Sequence, residues 1–274
     1  MNPLDIFLDI TYFHTNQTIV RKAVMRRIRF VLLPFLFVMS PLRAQDGDLQ
    51  YGMLIDAPAA KTLDRGSFYA GLRMYHRGGL LASVCAGITD QFSMGVSYGG
   101  ENMIGVGDIH LNPQPGVQLS LILFNERCFF PAVCIGFDSQ GFGAYDPSLK
   151  RYAVKSRGLY AVAGKNTSFL GGLGIHGGVN WSLEREDGDR DINLFAGCHK
   201  WITPSLVLLC EYDTGINDNG GSALGSGKGY LNGGIRWSFQ ETLFIDFLWK
   251  NILENHENRP GWGREIRLLY MAVL

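Results

Sequence analysis

Ten ionisable residues fall on the polar face of alternating, otherwise apolar stretches, where they are well placed to do chemistry. Ionisable groups at membrane depth are tolerated only where they face water or an opposite charge. Pointing into a barrel, they would either border a permeation path and set its ion preference, or fill a narrow lumen as a network of salt bridges. The sequence leaves both alternatives open for these lumen-lining candidates: Arg73, Lys165, His176, His199, Glu211, Asp213, Arg236, Asp246, Lys250 and Arg267.

A hydrolytic triad could also be drawn from these residues, because some membrane barrels hydrolyse lipids. His176 would be the base, Ser182 or Ser238 the nucleophile, and Asp213 the orienting carboxylate. A catalytic serine needs its base within hydrogen-bond reach, and neither the spacing nor a motif around either serine provides for that. We therefore predict no catalytic residue and no enzyme activity.

Two acidic runs and one glycine-rich run are candidate ion or phosphate sites. Residues 187–191 and 213–218 could attract Ca²⁺ or bridge lipopolysaccharide through cations, but neither matches an EF-hand. We expect solvated acidic loops there, with no metal and no cofactor. The glycines of residues 99–107 follow no strand-to-helix pattern, so a phosphate cradle is not expected. We instead expect a loop that folds across or into the barrel.

Five cysteines are unusual in an exported chain, because the compartments that receive exported proteins, such as the periplasm, oxidise thiols. Cys85, Cys134, Cys198 and Cys210 fall within predicted strands, and Cys128 falls at a turn. Cys198 and Cys210 flank one hairpin and share a face, so a cross-strand disulfide is conceivable. Thiols that face lipid or pack against neighbours are the more ordinary alternative.

The elements that must position these side chains are β-strands, because apolar and polar residues alternate along the chain. In the last stretch, Ile266, Leu268 and Tyr270 share one face, while Glu265 and Arg267 share the other. The alternation predicts about twelve strands, near residues 67–76, 79–89, 91–99, 115–125, 129–138, 157–165, 169–183, 191–201, 204–215, 228–239, 242–251 and 264–274.

The connections between the predicted strands alternate in length. Tight turns such as residues 202–204 and 240–241 follow even-numbered strands, and longer polar loops such as residues 139–156 follow most odd-numbered ones. This asymmetry is typical of bacterial outer-membrane barrels, in which the short turns are periplasmic. It favours a closed barrel over a soluble β-sandwich, whose strands would alternate in the same way.

The number of strands and the positions of the aromatic residues add two expectations. Barrels of eight strands fill with side chains and those of sixteen leave a channel, so about twelve strands predict a restricted or plugged pore. Aromatic rings prefer the depth of lipid headgroups, which predicts interfacial girdles formed by Tyr98, Phe137, Trp181, Trp201, Trp237 and Trp249.

The composition fits an all-β protein and gives no indication of nucleic-acid binding. Among 274 residues there are 35 glycines, 12% are aromatic and 18% are charged, and 25 basic residues balance 25 acidic ones. Apart from the apolar run near the N-terminus, no stretch approaches the roughly 18 apolar residues of a transmembrane helix.

The N-terminal region has the pattern of an export signal. Three arginines within residues 26–29 precede an apolar run at residues 30–39, and Ala44 offers a small residue for cleavage. The run is too short to cross a membrane as a helix. We predict two segments: an N-terminal extension and signal peptide over residues 1–44, with the true start at Met25, and a barrel over residues 45–274.

Several short motifs occur in order along residues 50–274. They are Gly66-Ser67-Phe68, Gly78-Gly79, Gly95-Val96-Ser97-Tyr98-Gly99-Gly100-Glu101, Pro113-Gln114-Pro115-Gly116-Val117, Gly136-Phe137-Asp138-Ser139-Gln140-Gly141, Tyr160-Ala161-Val162, Gly174-Ile175-His176-Gly177-Gly178-Val179-Asn180 and Gly229-Tyr230-Leu231-Asn232. With them the chain resembles the YjbH-type outer-membrane proteins. The resemblance implies a β-barrel associated with exopolysaccharide production or export, and it implies no catalytic residues. Better-known members of the family are longer, so the chain corresponds to one barrel module.

The sequence thus predicts an all-β fold: a closed antiparallel transmembrane β-barrel of about twelve strands in the bacterial outer membrane, preceded by a cleaved signal helix. The predicted function is a restricted or gated conduit linked to exopolysaccharide. The alternatives are a lipid-modifying enzyme and a non-conducting structural or adhesive barrel. Expected partners are outer-membrane lipid and lipopolysaccharide, the barrel insertion machinery and polysaccharide, but no nucleic acid.

Overall fold

The computed structural model describes residues 49, 51–168, 172–256 and 263–273. The predicted N-terminal extension and signal peptide, residues 1–44, therefore lie outside the described residues. Within the described part, no helix is long and apolar enough to cross a membrane. Regular structure there consists of β-strands and a short 3-10 helix at Ile216–Asp218.

The described residues contain fifteen strands, twelve of which form a barrel. The strands are β1 (Ser67–Tyr75), β2 (Gly79–Thr89), β3 (Phe92–Glu101), β4 (His110–Leu111), β5 (Gly116–Phe124), β6 (Ala132–Asp138), β7 (Phe142–Asp146), β8 (Arg151–Val154), β9 (Gly158–Thr167), β10 (Leu173–Trp181), β11 (Asn193–Thr203), β12 (Leu206–Asp213), β13 (Tyr230–Phe239), β14 (Leu243–Lys250) and β15 (Gly263–Val273). All except β4, β7 and β8 pair with their neighbours in one ring, always antiparallel. The predicted closed antiparallel barrel is confirmed.

The ring closes between its first and last strands. Ser67 on β1 lies opposite Val273 on β15, and the register continues without a shift to Met74 opposite Ile266. Because each of the twelve strands is paired on both sides, no edge of the ring presents a row of unpaired backbone N–H and C=O groups. That is the condition under which a sheet can exist in lipid.

Alternation along the strands separates an apolar outer face from a mixed inner face. On β14, Ile245 and Phe247 point outward, whereas Asp246 and Lys250 are buried inside. On β2, Val84 is 50% exposed on the outside. A large apolar surface is unfavourable in water. A soluble sandwich would bury this face, so a closed ring with the apolar face outside excludes that alternative.

The two ends of the barrel differ as the sequence predicted. Tight turns such as residues 204–205 and 240–242 lie at the end where β1 begins and β15 finishes. The opposite end carries longer loops, among them residues 182–192 and 214–229. By the usual arrangement of such barrels, the short turns mark the periplasmic end and the long loops the extracellular end.

The aromatic residues near strand ends do not all face lipid. Trp181 and Trp237 are 41% and 46% exposed on the outer face, as predicted. Trp201 instead points inward and packs against the interior apolar cluster. The prediction for Trp201 is wrong because this residue shares the inward phase of β11 with Phe195 and His199, both of which are buried.

The strands outside the ring belong to extracellular loops. The short strand β4 continues the ladder of β3 beyond the barrel, where His110 lies opposite Glu101. Strands β7 and β8 form a separate hairpin between β6 and β9, and this hairpin folds inward. The ring of Phe142 lies 4.4 Å below the guanidinium of Arg73 and 5.6 Å from the amine of Lys250, both on the barrel wall.

Residues 51–63, which we call the lumen segment, occupy the interior of the barrel. Two backbone hydrogen bonds, from Leu54 N to Ala57 O (2.9 Å) and from Ala59 N to Gly52 O (3.0 Å), fold it into a tight U-turn. A side chain at Gly52 would come within 2.2 Å of the Lys61 carbonyl, so the close approach of the two arms requires glycine. Within the barrel, the segment packs against an apolar cluster that includes Val162, Phe195, Val207, Leu209 and Leu248.

Candidate functional site

The barrel interior collects nine of the ten charged candidates. Arg73, His176, His199, Glu211, Asp213, Arg236, Asp246, Lys250 and Arg267 are all buried within the ring. Lys165 does not join them. It lies opposite Ile175 on the outward phase of β9, and its amine contacts Glu126 (3.2 Å) and the carbonyl of Cys128 (3.1 Å) at the periplasmic rim.

One carboxylate of the wall binds the backbone at the apex of the lumen segment. Oε2 of Glu211, on β12, accepts hydrogen bonds from the backbone N–H groups of Ile55 (3.1 Å), Asp56 (2.9 Å) and Ala57 (2.8 Å). Its other oxygen accepts from Asn232 Nδ2 at 2.7 Å. Hydrogen bonds to an ionised acceptor are stronger than neutral ones, so Glu211 fixes both the position and the direction of the turn.

Two arginines of the wall bind the carbonyl side of the same turn. Arg236 and Arg267 each donate to the carbonyl of Leu54 at 2.9 Å, and Arg267 also donates to that of Ile55 at 2.8 Å. Between them lies Asp246, which accepts from Arg236 Nε at 2.9 Å and from Arg267 Nη2 at 2.6 Å. The wall therefore matches the backbone polarity of the segment, with an anion at its N–H groups and cations at its carbonyls.

Two side chains of the lumen segment add direct contacts to these wall charges. The hydroxyl of Tyr51 donates to Asp246 at 2.9 Å, and its ring lies 4.0 Å from the Arg236 guanidinium. At the apex, Asp56 forms ion pairs with Arg73 (2.8 Å) and with Lys250. All of these contacts would be lost if the segment left.

The residues of the hypothetical triad are not brought together. Nε2 of His176 lies 3.3 Å from Nδ1 of His199, and Nδ1 of His176 accepts from the backbone N–H of Ala60 at 3.4 Å. Ser182 lies six residues further along the chain, just past the extracellular end of β10, so about 20 Å separates it from His176 along an extended chain. Asp213 binds Arg157 instead.

Ser238 does not complete the triad either, because it lies near the periplasmic end of β13, opposite Phe244. Its backbone N–H donates to the carbonyl of Ser205 in the adjacent turn. Neither serine of the hypothesis is thus seen with a histidine base, and the geometry gives no support to hydrolysis at this place.

The acidic loops at the extracellular end are not solvated as the sequence suggested. Arg151, fully buried on β8, lies 2.6 Å from both Asp187 and Asp218. Lys155 binds Asp187 as well, at 2.8 Å. The expectation failed because the neutralising bases come from the loop between β6 and β9, which is distant in sequence. No group of three or more metal-ligating side chains occurs among the described residues.

A cavity of about 250 Å³ lies between the β7–β8 hairpin and the apex of the lumen segment. Its lining includes Asp56, Phe142, Asp213, Asn232, Lys250 and Glu265. Two cavities beside Tyr51 measure only about 50 and 40 Å³. The described interior thus narrows from an extracellular vestibule to a region that the lumen segment fills.

Comparison with known proteins gives structural similarities only. No family model matches the chain, and no curated protein matches it. Among solved structures, the KdgM porin has a TM-score of 0.48 at 9% identity, over 74% of this chain and 98% of that one. The NanC porin has a TM-score of 0.43 at 9% identity, over 76% and 98%. OmpF of Salmonella typhi, in complex with daunomycin, has a TM-score of 0.31 at 14% identity, over 70% and 61%.

The barrel is established by the strand pairings of this chain. A closed antiparallel barrel with an apolar outer face, short turns at one end and long loops at the other is the architecture of bacterial outer-membrane proteins. The chain is an outer-membrane β-barrel, in agreement with the predicted location.

Proposed function

We propose that this barrel is a gated conduit and that the lumen segment, residues 51–63, is its gate in the closed position. The observation that carries the proposal is how the segment is held. Its turn contacts Glu211, Arg236 and Arg267 through hydrogen bonds to backbone groups. These charges belong to the wall, so they would remain and line a polar passage if the segment moved away.

The energetics of the wall suit a gate that opens. Arg236 and Arg267 would keep Asp246 as partner after release of the segment, and Arg73 would keep Glu265. Water would then take the place of the segment's backbone on the remaining donors and acceptors. Opening also ends the burial of apolar side chains such as Leu54 and Ile55, both 0% exposed, which costs roughly 1.5–3 kcal/mol each.

Single-channel recording in planar bilayers tests the gate. We expect the wild-type barrel to be closed for most of the time and a variant lacking residues 51–63 to conduct steadily. A variant lacking residues 103–109, in the exposed loop between β3 and β4, is the control for deleting chain and should behave as wild type. Slower migration of each boiled sample on a denaturing gel shows that its barrel had folded. A folded but silent lumen-segment deletion would refute the gate.

The cargo that we propose is polysaccharide, supported by the resemblance to YjbH-type proteins in motifs such as residues 95–101 and 174–180. Deleting the coding sequence should reduce surface polysaccharide, and returning the wild-type sequence should restore it. An unchanged polysaccharide coat would refute the cargo, while conductance of the deletion variant would still support the gate.

A non-conducting structural barrel is the second candidate. It is favoured by the completeness of the internal pairing, since Arg73, Arg236, Asp246, Lys250 and Arg267 all have partners of opposite charge. The same recordings decide between the two candidates. If the barrel is structural and does not conduct, removing the lumen segment lowers the stability of the barrel and produces no current.

A further inference from the structure

We propose that Cys198 and Cys210 form an intramolecular disulfide, made during export and then surrounded by lipid. The two cysteines lie directly opposite each other on β11 and β12. In the structure all five cysteines are free, and Cys198 and Cys210 share the outer face of the barrel. The proposal depends on export of the chain but not on the gate.

The backbone holds the two cysteines close to the separation that a disulfide needs. Thr214 N–H donates to the carbonyl of Leu194 at 2.9 Å, which makes these two residues a hydrogen-bonded pair of the antiparallel ladder. Such pairs recur at every second residue, and the register is continuous from there to Cys198 and Cys210. Cα atoms in hydrogen-bonded pairs are about 5.5 Å apart, within the range that disulfides span. Their Cβ atoms lie toward the far end of the roughly 4.5–5.5 Å seen across a ladder, against roughly 3.5–4.5 Å in disulfides, so the two strands must draw slightly together when the bond forms.

The surroundings of the pair leave room for the bond on the outer face. Cys198 is flanked by Ile175 on β10, and Cys210 by Gly233 on β13. Cys210 is exposed and Cys198 half-buried, so both sulfurs are at the surface of the barrel.

The other three cysteines do not compete for this partner. Cys85 and Cys134 are buried on the inner face, where the register sets them opposite residues other than cysteine. Cys128 lies in the turn between β5 and β6. Among the five, Cys198 and Cys210 are therefore the pair that the fold aligns.

The reaction is thiol–disulfide exchange with a disulfide-donating protein of the periplasm. The thiolate of one cysteine attacks the donor disulfide and forms a mixed disulfide, and the second cysteine then displaces the donor thiolate. One S–S bond forms between Cys198 and Cys210, and the donor takes up the two electrons as a dithiol. The two thiol protons end on the two sulfurs of the donor dithiol, exchanged through water.

The order of events follows from where the pair ends up. Exchange requires a thiolate, and a charge on the hydrocarbon side of the barrel is disfavoured. The bond must therefore form while the β11–β12 hairpin is still in water, before insertion. It then fixes the register of that hairpin, and the lipid shields it from water-soluble reductants.

The experiment counts free thiols in protein taken from the outer-membrane fraction of exporting cells. Cells are quenched with acid, and the protein is denatured without reductant and treated with N-ethylmaleimide. Intact mass spectrometry should show three adducts, on Cys85, Cys128 and Cys134, and five after reduction. Proteolysis without reduction should release one peptide pair linked through Cys198 and Cys210.

Variants distinguish this bond from others. Cys198→Ser should give four adducts because Cys210 becomes free, whereas Cys128→Ser, the control at the exposed turn, should give two and keep the linked peptides. Dithiothreitol should reduce the bond in the boiled protein at least tenfold faster than in the folded barrel. Five adducts in the unreduced, membrane-inserted wild type, or a linked peptide containing Cys128, would overturn the proposal.

Discussion

Glu211 is the wall residue whose carboxylate accepts three backbone hydrogen bonds from the lumen segment. Glu211→Gln keeps an acceptor of nearly the same shape and removes its charge. Hydrogen bonds to charged groups contribute roughly 1.5–3 kcal/mol, against roughly 0.5–1.5 kcal/mol for neutral ones. We therefore expect the open probability in single-channel recordings to rise about tenfold or more.

The matched control for Glu211→Gln is Glu126→Gln at the periplasmic rim. Glu126 contacts Asn166 and Lys165 at the rim, away from the turn of the lumen segment. The control removes the same charge from the same barrel, so it should leave the open probability unchanged. Equal effects of the two substitutions would show that charge loss in general, rather than release of the segment, had been measured.

Glu184 gives the extracellular loops a dependence on pH. Burial raises the pKa of this carboxyl to about 7, against the opposing effect of hydrogen bonds from the backbone of Tyr152 and Ser156. Because the folded loop favours the protonated form, the loop loses stability as pH rises from about 4.5 to about 7 and stays lower above that range. Amide protection factors of Tyr152 and Ser156 should thus be higher at pH 5 than at pH 8.

Two substitutions separate the contribution of Glu184 from general effects of pH. Glu184→Gln mimics the neutral acid, so it should raise the protection factors at pH 8 and remove most of their pH dependence. Glu186→Gln, at an exposed side chain in the same loop, should leave the wild-type pH dependence intact. Identical profiles for Glu184→Gln and wild type would contradict the assignment.

At the residue scale, alternation alone predicted which charged residues face inward, with Lys165 as the exception. Lys165 follows Ala163 on the outward phase of β9, with no register shift at this point, and its charge is accommodated by Glu126 at the periplasmic rim. The partners of the inward charges could not be predicted in the same way. Asp56 meets Lys250, and Arg151 meets Asp218, only because the closed ring brings distant parts of the chain together.

At the element scale, the β7–β8 hairpin is held to the other extracellular loops by a buried cluster in which Arg151 contacts two carboxylates. Arg151→Ala would leave Asp187 and Asp218 buried with fewer compensating charges. Removing one partner of a buried pair costs roughly 3–5 kcal/mol. We expect the hairpin to detach, so that a protease added to intact cells cleaves within residues 139–156 at least tenfold faster.

Lys150→Ala is the neighbouring control for Arg151→Ala. Lys150 is 67% exposed in its side chain and lies 4.0 Å from Glu186, so it belongs to a surface pair of the kind that contributes little to stability. It should leave the cleavage rate close to wild type. Equally fast cleavage in both variants, with barrels that remain heat-modifiable, would show that the buried cluster does not hold the hairpin.

The sequence predicted the barrel strands well but did not predict the lumen segment. Strand β2 was predicted at residues 79–89 and runs from Gly79 to Thr89, because its alternation is long and its turns are marked. The lumen segment was not predicted as an element, since residues 51–63 have no repeating pattern and their N–H and C=O groups bind wall side chains rather than a ladder. A run of small and apolar residues directly before the first strand was the available signal.

For the whole molecule, the decisive feature is a twelve-stranded ring that the chain fills with its own residues. A ring of this size is too wide for wall side chains alone to fill, yet narrower than the open porins. The lumen segment and the β7–β8 hairpin occupy it from opposite ends and meet at the vestibule lined by Asp56 and Phe142. Opening a path for a solute therefore requires the backbone of the lumen segment or of the hairpin to move, as well as side chains.

The orientation of the outer face is tested by introducing a charge at two depths of one strand. Val84 and Ile88 both face outward on β2, with exposures of 50% and 48%, but Val84 is central and Ile88 lies beside the periplasmic turn. In lipid, an arginine costs roughly 2–4 kcal/mol at the midplane and roughly 0–1 kcal/mol near the interface. Urea titrations in phospholipid vesicles should therefore show a clearly larger loss of stability for Val84→Arg than for Ile88→Arg. Were this face in water, both substitutions would be nearly neutral, and equal small effects would contradict a lipid-facing belt.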